Sequence, residues 1–286
     1  MIFKLRKNSK ISIKLLCYIA QVSESWYYKY RKLKLNNNLA ENREEKDLEI
    51  IKTLVLKYNR KHWYRMITML LKRELNIIMN HKKVLRFMKK YNLLSIIRKK
   101  NPYAQMIKAT QEHRTFSNIL NREFWWLKAF YKYWTDISYL HFNWKRAYIS
   151  ILKDMVTWEI VSFKVSSSLE MPFVFDTIKW VNRRKLKWSI IHSDQWVHYT
   201  NPQYQKLLKG LWITQSMSRR WNCIDNAPTE SFFWHFKDEI DLSKIKIFKE
   251  LEKMVKKYIF YYNYKRPQWN KKKMTPVEYR NYLLQK

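Results

Sequence analysis

The sequence predicts two kinds of structure in one chain, namely short basic helices in the N-terminal third and an α/β domain in the C-terminal half. Apolar residues recur at helical spacing up to about residue 98, whereas from about Tyr133 the pattern changes to the alternation typical of strands. Lysine and arginine outnumber the acidic residues by 58 to 23, which gives a formal net charge of +35. An excess of this size indicates a polyanionic partner, and nucleic acid is the foremost candidate. On charge alone, a basic ribosome-type or chromatin-type protein without chemistry remains an alternative.

Cysteine usage and hydropathy exclude several classes of protein. Cys17 and Cys223 are far apart, so the sequence encodes neither a disulfide framework nor a four-cysteine zinc site. Its apolar runs are too short for a membrane span, and its basic N-terminus lacks the features of a signal peptide. We therefore expect a cytoplasmic, nucleoid-associated protein without a membrane partner.

The N-terminal part reads as two helical units. Residues 1–35 resemble a helix-turn-helix segment in which Ser23 caps the second helix, and residues 36–38 read as a linker. Residues 41–98 predict three short helices of a helix-turn-helix DNA-binding domain. Its last helix is crowded with the basic side chains of Lys82, Lys83 and Arg86. A solvated basic face on a three-helix bundle is the alternative to DNA contact.

A linker is predicted over residues 99–127, and an α/β domain over residues 128–286. Strands are expected at 134–140, 146–152, 159–165, 188–192 and 213–216, with helices at 169–184, 202–209, from Pro228, and at 248–262. Three antiparallel strands followed by alternating helices and strands is the order of the ribonuclease-H-like fold. The predicted fold class is therefore a ribonuclease-H-like α/β core preceded by all-α helix-turn-helix segments.

Three acidic residues stand where this fold would gather them. Asp136 lies inside the first strand, Asp194 follows the fourth, and Glu230 lies 35 residues further on, in the first turn of a helix. Converging carboxylates repel one another, and divalent cations relieve that repulsion. Such a site suits phosphoryl transfer on nucleic acid. From spacing alone, three unrelated acids, two of them surface caps, remain the alternative.

Several segments resemble bacterial insertion-sequence transposases of the OrfB type, which have a retroviral-integrase-like core. The core motifs are WTDISYL (134–140), HSDQWVHYT (192–200) and QSMSRRWNCIDNAPTESFF (215–233). Further motifs are YKRP (264–267) and MTPVEY (274–279) near the C-terminus, and HWYR (62–65) and KVLRFM (83–88) in the helical part.

The resemblance implies a DNA transposase in which Asp136, Asp194 and Glu230 bind two Mg²⁺ or Mn²⁺ ions. The expected reaction is cleavage and strand transfer at the inverted-repeat ends of an insertion sequence. Expected partners are these ends, the target DNA, further copies assembled on DNA, and the product of an upstream OrfA-type frame. The alternatives are a catalytically inactive DNA-binding relative, a decayed transposase, or a resolvase or ribonuclease H on the same fold.

Further side chains are expected to contact DNA or to support the site. Lys237 lies two helical turns after Glu230, on the same face, and in integrase-like cores a basic residue there reaches the DNA end. His192 and His198 flank Asp194 and are expected to position it rather than bind metal. The remaining expected DNA contacts are Arg65, Arg219, Arg220 and Asn226.

Glycine is almost missing and tryptophan is in excess. The chain has 1 glycine and 14 tryptophans, whereas average usage predicts about 20 glycines. In the family these motifs carry glycine at several positions where this chain has tryptophan. We therefore hypothesise that a UGA codon read as glycine in the cell has been translated as tryptophan at Trp63, Trp196, Trp221 and Trp234, and also at Trp26 and Trp134.

Overall fold

The structure is a computed structural model that describes residues 12–96, 129–179, 181, 186–218 and 227–285, without the side chains of residues 34–42. The predicted linker at 99–127 lies outside the described residues, as do Arg219, Arg220, Trp221 and Asn226. No helix of the described part is long and apolar enough to cross a membrane.

The N-terminal part is helical, as predicted. Its helices are α1 (Ile13–Ile19), α2 (Glu24–Lys57), α3 (Tyr64–Leu75) and α4 (His81–Lys90). Ser23 is the N-cap of α2 and its hydroxyl accepts from the backbone N–H of Trp26 at 3.1 Å. The linker expected at residues 36–38 was wrong, because α2 runs through it. That helix contains neither proline nor glycine, and asparagine costs a helix only a fraction of a kcal/mol, roughly 0.7 at most.

The chain divides into two compact units. The first comprises residues 1–60 and 70–94, and the second comprises residues 61–69 and 95–286. In the first unit, Ile51 and Leu54 of α2 are buried, as are Val84 and Phe87 of α4. The ammonium of Lys83 also forms an ion pair with Asp47 there.

The second unit is built on a five-stranded mixed sheet with the strand order β3-β2-β1-β4-β5. The strands are β1 (Lys132–Phe142), β2 (Lys145–Asp154), β3 (Ile160–Ser166), β4 (Ile190–Ser193) and β5 (Thr214–Met217). Strands β1 to β3 pair antiparallel, and β4 pairs parallel to both β1 and β5. The predicted antiparallel meander and the predicted ribonuclease-H-like fold class are thus confirmed.

Helices cover both faces of this sheet. They are α5 (Met171–Lys179), α6 (Val197–Thr200), α7 (Pro202–Gly210), α8 (Ala227–Glu239), α9 (Phe248–Tyr264) and α10 (Pro276–Leu284). One apolar cluster joins Leu140 and Phe142 of β1 to Phe232 and Phe236 of α8, and includes residues of α9. The cluster on the opposite face contains Ile137 of β1 together with residues of α5, α6 and α7. The even-numbered residues of β1 therefore face α8.

A buried ionic network fixes the C-terminal end of α8. Both carboxylate oxygens of Glu239 accept from the guanidinium of Arg266, the shortest contact being 2.7 Å. The hydroxyl of Tyr258 donates to the same carboxylate at 3.0 Å, and Nδ1 of His62 lies 3.7 Å from it. Lys61 donates to the Glu239 backbone carbonyl at 3.1 Å. The motifs HWYR and YKRP thus meet at the last residue of α8.

We expect Glu239→Gln to lower the free energy of unfolding by about 3–5 kcal/mol, because it leaves the buried Arg266 without a counter-charge. Urea unfolding measures this loss. The matched control, Glu252→Gln, removes an exposed carboxylate from α9 and should change the free energy by less than about 0.5 kcal/mol. Equal losses in the two variants would contradict the assigned role of the network.

The loss in Glu239→Gln should also depend on pH. Burial alone would raise the pKa of Glu239, but the nearby charge and hydrogen bonds of Arg266 lower it below the ordinary value of 4.5. A carboxylate with a lowered pKa contributes stability above its ordinary pKa and loses it as the pH falls through the lowered value. The difference between wild type and variant should therefore shrink below pH 4.5.

Candidate active site

The pairing of β1 with β4 brings two of the predicted acids to one end of the sheet. The two strands run parallel, and Trp134 lies opposite His192. Asp136 lies two residues further along β1, and Asp194 lies two residues after His192, just past the end of β4. Because neighbouring strands lie about 4.8 Å apart, this register indicates that the two acids lie close together.

Local hydrogen bonds orient both carboxylates. Oδ1 of Asp136 accepts from the backbone N–H of Ile137 at 2.8 Å, and the residue is only 8% exposed. Oδ1 of Asp194 accepts from the backbone N–H of Trp196 at 3.0 Å, in the turn that leads into α6. Asp136 is thus held inside a strand, while Asp194 is held by the loop that follows a strand.

The charges of both carboxylates affect the pKa of the Tyr199 hydroxyl. Burial raises its pKa well above 10.0, and the negative charges of Asp136 and Asp194 raise it further. This hydroxyl also lies 3.4 Å from Oγ1 of Thr135. The tyrosine therefore stays protonated at neutral pH beside the two acids. No sequence pattern indicated this role, because a tyrosine in a short helix is more often a core residue.

Glu230 lies in the first turn of α8 and is half-buried. Helix α8 contacts β1 and packs on the sheet face that carries Asp136. Its first turn is tied to the sheet by Lys153 of β2, whose ammonium donates to the backbone carbonyl of Pro228 at 2.8 Å. In the β1–β2 register Lys153 lies opposite Trp134, two residues from Asp136.

Lys153 is a buried ammonium that the sequence analysis missed. It is 2% exposed, and the rings of Trp158, Phe232 and Tyr262 lie within 5.9 Å of its nitrogen. Burial lowers its pKa to about 7, and the positive charges of Lys271 and Arg266 add to that effect. A lysine at the end of an otherwise apolar strand was the available signal. Its position next to α8 depends on the fold.

The donor set suits a hard divalent cation, because carboxylate oxygens are the ligands that Mg²⁺ prefers. Within the described ranges, however, no three His, Cys, Asp or Glu side chains form a group that could hold a metal ion. The structure thus brings Asp136 and Asp194 to one edge and does not gather Glu230 with them into one coordination group.

The two histidines bond to neighbouring elements. Nδ1 of His192 lies 3.0 Å from the hydroxyl of Ser216, which joins β4 to β5. Nε2 of His198 lies 2.9 Å from the backbone oxygen of Leu169, in the segment before α5. These two contacts are not with Asp194, and the positioning roles expected for both side chains stay predictions.

The predicted DNA-contacting residues fall in both units. Lys82 and Arg86 are exposed on α4, while the ammonium of Lys83 is engaged by Asp47. Arg65 belongs to the second unit, where its guanidinium lies 5.4 Å from the ring centre of Trp269. Lys237 is half-buried on α8.

Models of known families match three stretches of the chain. An HTH-like domain matches residues 41–101, and integrase core domains match residues 128–223 and 230–284. The integrase matches cover β1 with Asp136, β4 with the following Asp194, and α8 from Glu230 onwards.

Two curated relatives are similar to this chain over most of their length. The putative transposase InsK for insertion sequence element IS150 of Escherichia coli is 34% identical over 77% of this chain and 78% of its own. An uncharacterized transposase-like protein of Haemophilus influenzae is 33% identical over 73% of this chain and 96% of its own. Among solved structures, the HTLV-2 integrase catalytic core domain in complex with magnesium has a TM-score of 0.42 and 11% identity, covering 52% of this chain and 95% of that chain. The sheet order, the integrase core and the length of the shared sequence lead to one conclusion: the chain belongs to the insertion-sequence transposases, DNA enzymes with an integrase core.

Proposed function

We propose that Asp136, Asp194 and Glu230 are the catalytic residues of this transposase, and that they cut and join DNA at the inverted-repeat ends of its element. One observation supports this most directly. The parallel pairing of β1 with β4 supports a position for Asp194, just past the carboxyl end of β4, beside Asp136 in the middle of β1. Open α/β sheets place their sites beyond the carboxyl ends of parallel strands.

The proposed cofactor is a pair of Mg²⁺ ions, with Mn²⁺ as a substitute. Bound there, the ions would activate the attacking oxygen and stabilise the leaving oxygen of a phosphodiester. Asp136 and Asp194 would hold them from the sheet, and Glu230 would complete the ligands from the first turn of α8. In the absence of cations the carboxylates repel one another.

Neighbouring side chains would support these acids without touching the substrate. The Tyr199 hydroxyl stays protonated, so it is a neutral hydrogen-bond donor beside the two aspartates. The bond from Lys153 to the Pro228 carbonyl restrains the backbone two residues before Glu230. Because the three acids do not form one coordination group in the structure, Glu230 would have to move towards the ions when they bind.

DNA contact is proposed for both units. Residues 41–98 would read the DNA end with Lys82, Lys83 and Arg86 of α4, and the domain at 128–286 would hold the cleaved end with Lys237. Arg65, Arg219, Arg220 and Asn226 would bind phosphates, and residues 99–127 would link the two domains. Because two element ends must be joined, we propose assembly as an oligomer on DNA together with the product of an upstream frame.

Millimolar Mg²⁺ should raise the melting temperature of the wild type, since the cation binds the folded site and relieves the repulsion between its carboxylates. Asp136→Asn should abolish most of that shift, whereas Glu252→Gln on α9 should retain it. Differential scanning calorimetry with and without the cation measures the shift. An undiminished shift in Asp136→Asn would show that the metal binds elsewhere.

Asp194→Asn and Glu230→Gln should each reduce strand transfer of a labelled element end by at least about 100-fold, because each removes a charge that the metal ions require. DNA-end binding, followed by fluorescence anisotropy, should stay within about threefold of wild type, since the contacts with phosphates remain. The matched control Glu252→Gln should transfer strands at the wild-type rate.

The outcome separates the proposed enzyme from a binding protein. A wild type that binds the ends but never cuts them, with the element's own ends and Mg²⁺ or Mn²⁺ present, would rule out the catalytic role. Transfer at the wild-type rate by Asp194→Asn would instead show that the chemistry is carried by other residues.

A further inference from the structure

Four tryptophans adopt a backbone conformation that favours glycine. The φ angles of Trp144, Trp158, Trp188 and Trp212 are 59°, 65°, 67° and 59°. Positive φ is uncommon outside glycine, is best tolerated by asparagine and aspartate, and is a genuine outlier for a bulky residue. Four outliers of the same bulky residue type call for a common cause.

The turn between β1 and β2 demands glycine most clearly. Phe142 pairs with Lys145, so Asn143 and Trp144 form a two-residue hairpin loop. Both have positive φ, at 41° and 59°. Two-residue loops with positive φ at both positions have a strong preference for Asn-Gly. Trp144 stands where that pair carries its glycine.

The C-terminus of α7 also has a backbone arrangement that favours glycine. Ile213 N–H donates to the Leu208 carbonyl at 2.9 Å and Trp212 N–H to the Lys209 carbonyl at 3.1 Å. This is the Schellman arrangement, whose left-handed residue is usually glycine and sometimes asparagine. The same arrangement closes α2 and α4, and there the left-handed residues are Asn59 and Asn92.

The tryptophan rings at three of these positions add little to the core, whereas Trp158 packs against the buried Trp134 and Met155. Trp144, Trp188 and Trp212 are 105%, 62% and 60% exposed. The rings of Trp188 and Trp212 contact each other with centres 5.2 Å apart, and neither belongs to a core cluster. Trp158 is half-buried and its ring lies above Lys153, but the bond from Lys153 to Pro228 does not involve it.

Gly210, the single glycine, occupies a position that does not require it. It lies in the last turn of α7 without positive φ, and a Cβ atom added there would meet nothing within 4 Å. Glycine therefore stands where any residue fits, and tryptophan stands where glycine fits. A systematic replacement of glycine by tryptophan puts tryptophan at positions whose backbone favours glycine. Independent mutations would not favour tryptophan over other residue types.

We propose that the protein made by its own cell carries glycine at 144, 158, 188 and 212, through a UGA codon that the cell reads as glycine. This proposal does not depend on the catalytic residues. The backbone singles out positions other than those chosen from the motifs. Trp26, Trp63, Trp134, Trp196 and Trp234 do not have positive φ among the described residues.

The first test compares full-length variants. The fourfold change Trp144→Gly, Trp158→Gly, Trp188→Gly and Trp212→Gly should raise Tm by about 5 °C or more, because strain is relieved at each position. Trp269→Gly is the matched control. Its ring packs against Arg65 and Lys273 without positive φ, so this change should lower Tm. A fourfold variant that melts below the tryptophan chain would overturn the proposal.

The second test reads the residues directly. Peptide mass spectrometry of the protein purified from its natural host should give masses with glycine at the four positions, and the gene should have UGA there. Tryptophan masses, or UGG codons at these positions, would overturn the proposal whatever the melting experiment gives.

Discussion

The parallel pairing of β1 with β4 is the contact on which the site depends. Side chains alternate along strands, so a slip of one residue would turn Asp136 away from α8 and towards the opposite face. The antiparallel β1–β2 ladder holds β1 from its other side without a register shift. The position of Asp136 is therefore set by two ladders, while Asp194 follows from the end of β4.

Helix α8 reaches this edge because polar contacts restrain both of its ends. Lys153 binds the carbonyl of Pro228 at the start, and Arg266 binds Glu239 at the end. The apolar face between them packs on the sheet through Phe232 and Phe236. Three of these groups, Lys153, Arg266 and Glu239, are buried ionisable side chains, which a core tolerates only with partners. Such contacts fix an orientation as well as contributing stability, and an orientation is what Glu230 requires.

The sequence predicted the elements of the α/β domain well, because strand alternation and helical periodicity are local patterns. The prediction failed at residues 36–38, where three asparagines resemble a linker although α2 runs through them. The low helix propensity of asparagine costs little per residue, so it does not interrupt a helix that continues on both sides. Tyr199, Lys153 and Glu239 could not be found in advance. Their roles come from partners far along the chain, such as Thr135 for Tyr199, Pro228 for Lys153 and Arg266 for Glu239, which only the folded chain brings near.

Convergence of the three acids on metal ions is the central claim, and diffraction tests it most directly. Crystals of the full chain with an element end and Mn²⁺ should show two anomalous peaks about 4 Å apart. We expect oxygens of Asp136, Asp194 and Glu230 to be their protein ligands, at about 2.0–2.2 Å. Peaks bound by other side chains, or a Glu230 that remains outside the coordination shell with DNA in place, would contradict the claim.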